Sequence, residues 1–249
     1  FNCDSIMALD LLPTSMLHAM DLLPDPKTPV TLFTRHSLRE EVKGQGLAGY
    51  DLQLTHQGRE LAQAWGEYLI ANSERRIQHC ISSPIQRCID TAALMIQGAD
   101  DVSPINTHNI EIVEQGLLVE PGSFVLDIQQ AGPYFKRQGA LGFINSFVNN
   151  ALPGMKHPIG GVVDVLELIY NTHPRHSHGL SLAVSHDTII AAILAIISQR
   201  NEVTSEDWPQ MMEGLFVWFE GDEFLECQLK WIWRGKLHCL DIAKFNAEQ

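Results

Sequence analysis

Long apolar runs are missing from this chain of 249 residues. No stretch approaches the roughly 20 apolar residues needed to cross a bilayer, so no membrane-spanning helix is expected. Basic residues are scarce: 17 Lys and Arg stand against 30 Asp and Glu, for a formal net charge of −13. So acidic a surface repels polyanions, which argues against nucleic acid and membrane as partners; any anion bound here needs a locally positive pocket. Paired cysteines are missing too. The five cysteines (Cys3, Cys80, Cys88, Cys227, Cys239) are odd in number and none forms a CxxC pair. Cys80 and Cys88 fall within apparent buried elements, which suits reduced thiols. With no basic start or small-residue cleavage site at the N-terminus, the expectation is a cytoplasmic protein. Internal repeats and low-complexity tracts are also absent, which points to one domain.

What is present is an ordinary supply of apolar residues, 45% of the chain, ample for a substantial core. Residues 1–29 carry them at roughly helical spacing, broken by Pro13 and closed by Pro24, Pro26 and Pro29. This predicts one or two short helices and a proline-rich connection, an N-terminal arm packed on a single domain of residues 30–249. From there strands and helices alternate. "VTLFTRH" predicts a buried strand over 30–36, followed by a glycine-rich loop, "KGQGLAGYDLQ". Thr55 is then placed to cap a helix in which Leu61, Ala64, Trp65, Tyr68 and Leu69 recur at helical spacing. "IQHCISS" predicts a second strand, and a helix begins at Pro84, where the missing N–H costs nothing. A strand over 108–114 and a mostly helical middle over about 124–173 come next. "LSLAVSHD" reads as a buried strand leading into the apolar helix "TIIAAILAIISQ".

The tail differs, with strand-like runs separated by Gly221-Asp222 and Arg234-Gly235, which predict antiparallel hairpin turns. The whole pattern predicts an α/β fold in three layers, α/β/α, with a mainly parallel sheet, an antiparallel edge and C-terminal hairpins.

Open α/β sheets bind ligands beyond the carboxyl ends of their strands. Three predicted strands end in residues capable of chemistry. The first delivers Arg35, His36 and Arg39. The second delivers "SSP", with Arg87 one helical turn beyond Ser83, where a helix N-terminus and a guanidinium can face one anion. The third delivers Ser185, His186 and Asp187. Three arginines and two histidines around one point repel one another unless a dianion sits among them, so the pattern points to a phosphate pocket.

In this order and β/α context, "TRHSLR", "LTHQG", "SSPIQRCIDTA" and "VSHD" resemble the histidine phosphatase superfamily, which includes the cofactor-dependent phosphoglycerate mutases and the acid phosphatases. The resemblance runs from about residue 30 to 190. It implies a phosphomonoesterase that needs neither metal nor cofactor. His36 would attack phosphorus to form a phosphohistidine that water then hydrolyses, with Arg35, Arg39, Arg87 and His186 holding the phosphoryl oxygens. Imidazole suits the task because it is substantially neutral near pH 7 and its second nitrogen can be oriented by a hydrogen bond.

Two departures stand out. The family usually has glycine straight after the nucleophile, and this chain has Ser37, which either strains the backbone or adds a hydroxyl contact to phosphate. The proton donor to the leaving oxygen is the second. In the mutase-like branch it is a glutamate after the third strand, matched by Glu114 in "VEQGLL", 27 positions beyond Arg87. In the acid phosphatase branch it is the aspartate of a His-Asp pair, matched by Asp187. Glu120 in "LVEPG" is a third candidate. Asp187 sits beside a pocket histidine, and a carboxyl next to a bound dianion should hold its proton more tightly.

A phosphorylated small molecule or a phosphoprotein is the expected substrate, and homodimer formation is left open. A mutase-like phosphotransferase is the alternative, against which the middle segment offers only Lys136 and Arg137 as an adjacent basic pair. Another is a catalytically weak member that binds phosphorylated ligands. "THPRHSHG" places His173, His176 and His178 close together without a neighbouring cysteine or acid, and reads as a solvent-exposed loop rather than a metal site. Trp231 and Trp233 read as hairpin packing, and Cys88 as a buried helix-face thiol.

Overall fold

The computed structural model describes residues 7–41, 49–103, 109–120 and 122–248. Most of the predicted glycine-rich loop, the first residue of the strand expected from 108, and Cys3 lie outside the described residues. Among the described residues, one sheet of seven strands is formed by β1 (Val30–Arg35), β2 (Arg76–Ser82), β3 (Ile112–Glu114), β4 (Gly179–Ser185), β5 (Gly214–Glu220), β6 (Gln228–Trp233) and β7 (Lys236–Asp241), in the order β3-β2-β4-β1-β5-β6-β7. The first four of that order run parallel, and β5, β6 and β7 follow in antiparallel pairings.

Each strand of the parallel centre is apolar on both sides because both faces are covered. All six residues of β1 are buried, and they alternate as a pleat requires: Val30 and Leu32 join one core cluster and Phe33 the other. In β4, Leu180, Leu182 and Val184 face the first of these clusters and Ala183 the second. The layer over the Leu32 face holds α1 (Thr14–Met20), α2 (His56–Ser73) and α3 (Gln86–Val102); that over the Phe33 face holds α4 (Ile128–Val148), α5 (Pro158–Thr172), α6 (Asp187–Ile197) and α7 (Ile242–Asn246). Every residue of α6 from Ile189 to Ile197 is buried, as expected of a helix apolar on all sides. No described helix is long and apolar enough to cross a membrane.

The described part of the N-terminal arm packs into the same core as the sheet, through Leu12, Met16 and Ala19. Its proline-rich connection is held by Arg75, whose buried guanidinium donates to the carbonyls of Pro24 (2.8 Å) and Thr28 (2.5 Å).

The antiparallel edge and the C-terminal hairpin form as expected: β5 pairs directly with β1 (Thr31 opposite Val217) and the Arg234-Gly235 turn folds β7 onto β6. Two expectations change in detail. β3 is only three residues long, since it is a partly exposed edge with little to bury. The helix expected from Pro84 begins at Gln86: Ile85 sits in the capping position with an extended backbone (φ −76°, ψ 129°), which leaves Pro84 outside the helix. Thr55 does cap α2, accepting a hydrogen bond from the Gly58 N–H at 3.0 Å.

α2 and α3 lie backbone to backbone through glycine. A Cβ at Gly66 would fall 2.0 Å from the Met95 carbonyl oxygen, and one at Gly98 would fall 2.0 Å from that of Gln63. Gly66→Ala and Gly98→Ala are therefore each expected to destabilise the fold by about 2–3 kcal/mol in urea titrations. Gly132→Ala serves as the contrast, because its Cβ meets only the Ile128 side chain, at 3.9 Å, and should leave stability unchanged or slightly raised.

Candidate active site

Three parallel strands deliver side chains to one point at their carboxyl ends. β1 ends at Arg35, and the chain stays paired for one more residue because the His36 N–H donates to the Ser185 carbonyl at 3.0 Å. His36 is thereby held rigidly and is almost wholly buried, 2% exposed. Its Nδ1 lies 2.8 Å from the carbonyl oxygen of Ser37, which can only accept, so Nδ1 carries the proton. The bare nitrogen is Nε2, and it accepts from the Nε–H of Arg87 at 3.0 Å. Burial, then the neighbouring His186 ring, Arg35 and Arg87 hold the His36 pKa well below the usual 6.5, opposed only by the bond to Ser37. The imidazole is a neutral group whose one ring lone pair, on Nε2, is taken by the Arg87 N–H.

Arg87 enters from the first turn of α3, at the end of β2. Its Nη1 donates to the Gly49 carbonyl at 2.8 Å and its Nη2 faces His186 Nδ1 at 3.5 Å. Facing an N–H, that Nδ1 must be the acceptor, which puts the His186 proton on Nε2, 2.8 Å from Ser83 Oγ. Burial and then Arg87 push the His186 pKa down to about 3. The two imidazole rings meet edge to face, 5.6 Å between centroids. Cys88 lies against the same ring, its Sγ 3.6 Å from Nε2, with burial raising the thiol pKa to about 12. The thiol is a buried packing group, as expected, but it touches the site, which the sequence did not show.

Arg35 reaches the opposite way. Its Nη1 donates to the Pro209 carbonyl and its Nη2 pairs with Asp187, both at 2.7 Å. Arg39 donates to the Glu40 carbonyl at 2.8 Å and is close enough to lower the pKa of Arg35, Arg87 and His186. Both Arg35 and Arg39 keep a buried Nε–H without a partner among the described residues. With the imidazoles neutral, three guanidiniums against the Asp187 carboxylate leave two positive charges in surplus, the amount a phosphate dianion balances.

Ser37 does not extend the pocket. Its hydroxyl donates to the Gly58 carbonyl at 2.7 Å, so its one proton is bound inside the protein and the expected contact to phosphate is unavailable. Its N–H donates to Thr91 Oγ1 at 3.0 Å, and its φ is not positive, so serine is accommodated without backbone strain.

The three carboxyl candidates fall in different settings. Asp187 opens α6 and accepts three N–H groups: Oδ2 from Arg35 and from the Trp208 indole N–H at 3.2 Å, and Oδ1 from the Thr188 N–H at 2.9 Å. Glu114 stands exposed at the end of β3, level with Ser82 on β2. Both carboxyl oxygens of Glu120 are buried and, among the described residues, make no well-formed hydrogen bond; burial raises its pKa to about 7, with the weakly placed Phe124 N–H and then Lys156 pulling it back in part. Its own segment belongs to the rim: the Leu118 carbonyl accepts from Ser185 Oγ at 2.7 Å, and the Glu120 carbonyl from Tyr50, next to the Gly49 that holds Arg87.

The histidines of 172–179 diverge instead of converging. His173 is buried, not solvent-exposed as expected, and lies 2.8 Å from Thr31 Oγ1; His178 lies 2.8 Å from the Glu74 carbonyl. Trp208 and Pro209 are the site neighbours that the sequence did not reveal, because the loop between α6 and β5 has no pattern marking it as close to β1.

The family model of the histidine phosphatase superfamily (branch 1) matches residues 31–111, which contain Arg35, His36, Arg39 and Arg87 but not Glu114, Glu120, His186 or Asp187. Among solved structures, a mycobacterial glucosyl-3-phosphoglycerate phosphatase superposes with a TM-score of 0.54 at 17% identity, over 84% of this chain and 99% of that one. Mycobacterial hydrolase 2 gives 0.55 at 16%, over 89% and 97%, and the phosphoglycerate mutase from Bacillus anthracis str. Sterne gives 0.50 at 14%, over 90% and 99%. At such identities the likeness is one of fold. No curated protein matches the sequence. The matched segment supplies β1, α2, β2 and α3 with the first strand's histidine and three arginines; over residues 31–111 the chain is similar to the histidine phosphatase superfamily (branch 1), and the remaining strands complete a fold like that of these solved structures.

Proposed function

We propose that the chain is a phosphomonoesterase working through a phosphohistidine on His36. The observation that carries this reading is the unprotonated Nε2 of a neutral, rigidly oriented imidazole set among three guanidiniums, two of which keep an N–H unpartnered among the described residues. Nε2 forms a bond to phosphorus as the ester P–O bond breaks and the leaving oxygen takes a proton from a donor carboxyl. Arg87, which in this structure occupies the Nε2 lone pair, turns its N–H to a phosphoryl oxygen. Water then attacks phosphorus, returns a proton to the donor and breaks the P–N bond, releasing inorganic phosphate and neutral His36. Arg35, Arg39, Arg87 and His186 stabilise the charge of both transition states, so the acceleration is chiefly electrostatic.

The donor is assigned to the rim rather than to Asp187, whose oxygens are already acceptors of three N–H groups. Glu120 leads, because a carboxyl pushed up to about 7 still holds its proton near neutral pH. Glu114, exposed at the end of β3, is the alternative. Hydrolysis is favoured over transfer because the one adjacent basic pair of the middle segment, Lys136 and Arg137, is exposed, with Arg137 lying over Tyr134 at 4.6 Å.

Wild type should turn over p-nitrophenyl phosphate and yield an acid-labile, base-stable phosphoenzyme, and His36→Ala should lose both. Phosphate binding without turnover in wild type would leave only the silent, ligand-binding member. Because His36 stays neutral well below 6.5, the acid limb of kcat/KM is expected beneath that value.

With a poor leaving group, Glu120→Gln should lower kcat by about 100-fold. A Glu120→Gln enzyme with normal turnover, beside an impaired Glu114→Gln, would transfer the role to Glu114. Glu120 also makes a stability prediction that does not depend on activity. A carboxyl whose pKa is raised by folding binds its proton more tightly in the folded state, so between about 4.5 and 7 stability falls as pH rises. Glu120→Gln lacks that loss, and chemical denaturation should show its advantage over wild type growing across this window to at most about 3 kcal/mol.

A further inference from the structure

The loop between α6 and β5, residues 198–213, touches the candidate site at four points. The Pro209 carbonyl takes Arg35 Nη1, the Trp208 indole N–H reaches Asp187, the Met212 N–H donates to the His36 carbonyl at 3.2 Å, and the Glu213 carbonyl accepts the Arg35 N–H at 3.0 Å. Such a loop has no regular pairing of its own to fix it. Met212 even takes a left-handed backbone, φ 62°, though wholly buried. A conformation of that kind persists only where its surroundings overdetermine it.

Thr34 Oγ1 reaches the Met212 carbonyl at 3.3 Å and Arg200 pairs with Asp207, but the group that ties the most of the loop together is Arg234, from the turn joining β6 and β7. Its Nε and Nη2 each donate to a different carboxyl oxygen of Glu213 at 2.8 Å, a bidentate pair whose acid is 1% exposed. The rest of the fork straps the loop directly: Nη1 donates to the Glu206 carbonyl at 2.6 Å and Nη2 to that of Trp208 at 3.2 Å. Glu213 also accepts from the Gln210 N–H at 3.0 Å and from Ser15 Oγ, on α1, at 3.0 Å, so every lone pair of the buried carboxylate is engaged. Guanidinium stacked 4.9 Å over the Trp233 ring completes the anchor.

We propose that Arg234 is a positioning residue for the phosphate pocket: through Glu213 and the 206–213 loop it sets the orientation of the Arg35 guanidinium and its partner Asp187. The inference rests on the phosphate-binding reading above. It gives the N-terminal arm a part as well, since Ser15 closes the shell around Glu213. Charge alone does not do this work, because the loop carbonyls need the planar fork that lysine lacks.

The experiment measures the Kd of inorganic phosphate by calorimetry for wild type, Arg234→Lys, Arg35→Lys and the double variant, well below their melting temperatures. Arg234→Lys should weaken phosphate binding about tenfold in the wild-type background and less than twofold when Arg35 is already lysine, since its effect passes through Arg35. Unchanged affinity in Arg234→Lys, or the same tenfold loss in both backgrounds, overturns the proposal and leaves a purely structural ion pair. Should Arg234→Lys fail to fold, Trp208→Phe removes the loop's indole N–H from Asp187 while keeping the ring. It should weaken phosphate binding by severalfold in wild type and not in an Asp187→Asn background; equal effects in both overturn the proposal. Wild type that binds no phosphate fails the proposed function itself, and this inference with it.

Discussion

Three guanidiniums held at the end of a buried parallel sheet repel one another, and much of the surrounding structure is arranged to bear that repulsion. Each arginine meets it with different partners. Arg35 is neutralised by Asp187 and tied to a carbonyl, Arg87 is spread between a carbonyl and two imidazole nitrogens, and Arg39 keeps to the less buried side with the Glu40 carbonyl. The same field keeps both histidines neutral. Burial is the largest cause of their lowered pKa and the adjacent guanidiniums add to it, so the pocket keeps His36 neutral while the Ser37 carbonyl leaves the lone pair on Nε2. Phosphate recognition and nucleophile activation are thus one electrostatic arrangement seen from two sides.

That arrangement explains why the opening strand is so regular before its end and so polar after it. Hydrophobic burial fixes Val30, Leu32 and Phe33 between two helical layers, and the register with β4 places Arg35 opposite Ser185. A slip of one residue would exchange the two faces and bring Phe33 to the wrong layer, so the core determines where His36 emerges. The glycine contacts between α2 and α3 serve the same end on the other side, drawing the helix that carries Arg87 close to the helix that supports Ser37.

The elements of the sheet were legible because they are long and strongly patterned: alternation in β1 and β4, helical spacing in α2, the Thr55 cap, the Arg234-Gly235 turn. The order of the strands was not, since nothing in "LSLAVSHD" says that β4 inserts between β1 and β2 rather than beside them. At the site, the residues lying just past strand ends were readable as a group. Those contributed by an unpatterned loop, Trp208 and Pro209, were not, and neither was the state of any carboxyl, because burial and partnership are tertiary properties. Asp187 and Glu120 show this. In sequence both are acids near a motif; in the fold one accepts three N–H donors, and the other, among the described residues, is buried without a side-chain hydrogen bond of its own.

Ser37 illustrates how such a question is settled by neighbours rather than by residue type. The serine hydroxyl gives the Gly58 carbonyl, at the start of α2, a second donor beside the helix's own N–H, which glycine could not supply, and the chain keeps an ordinary φ. The Ser37 carbonyl is then fixed in place by its N–H on Thr91 and its hydroxyl on Gly58, and it is this carbonyl that orients His36. The departure from glycine therefore stiffens the acceptor that selects the tautomer. A pocket that must keep three like charges together gains from such rigidity, because a nucleophile free to turn would present its N–H to phosphorus instead of its lone pair.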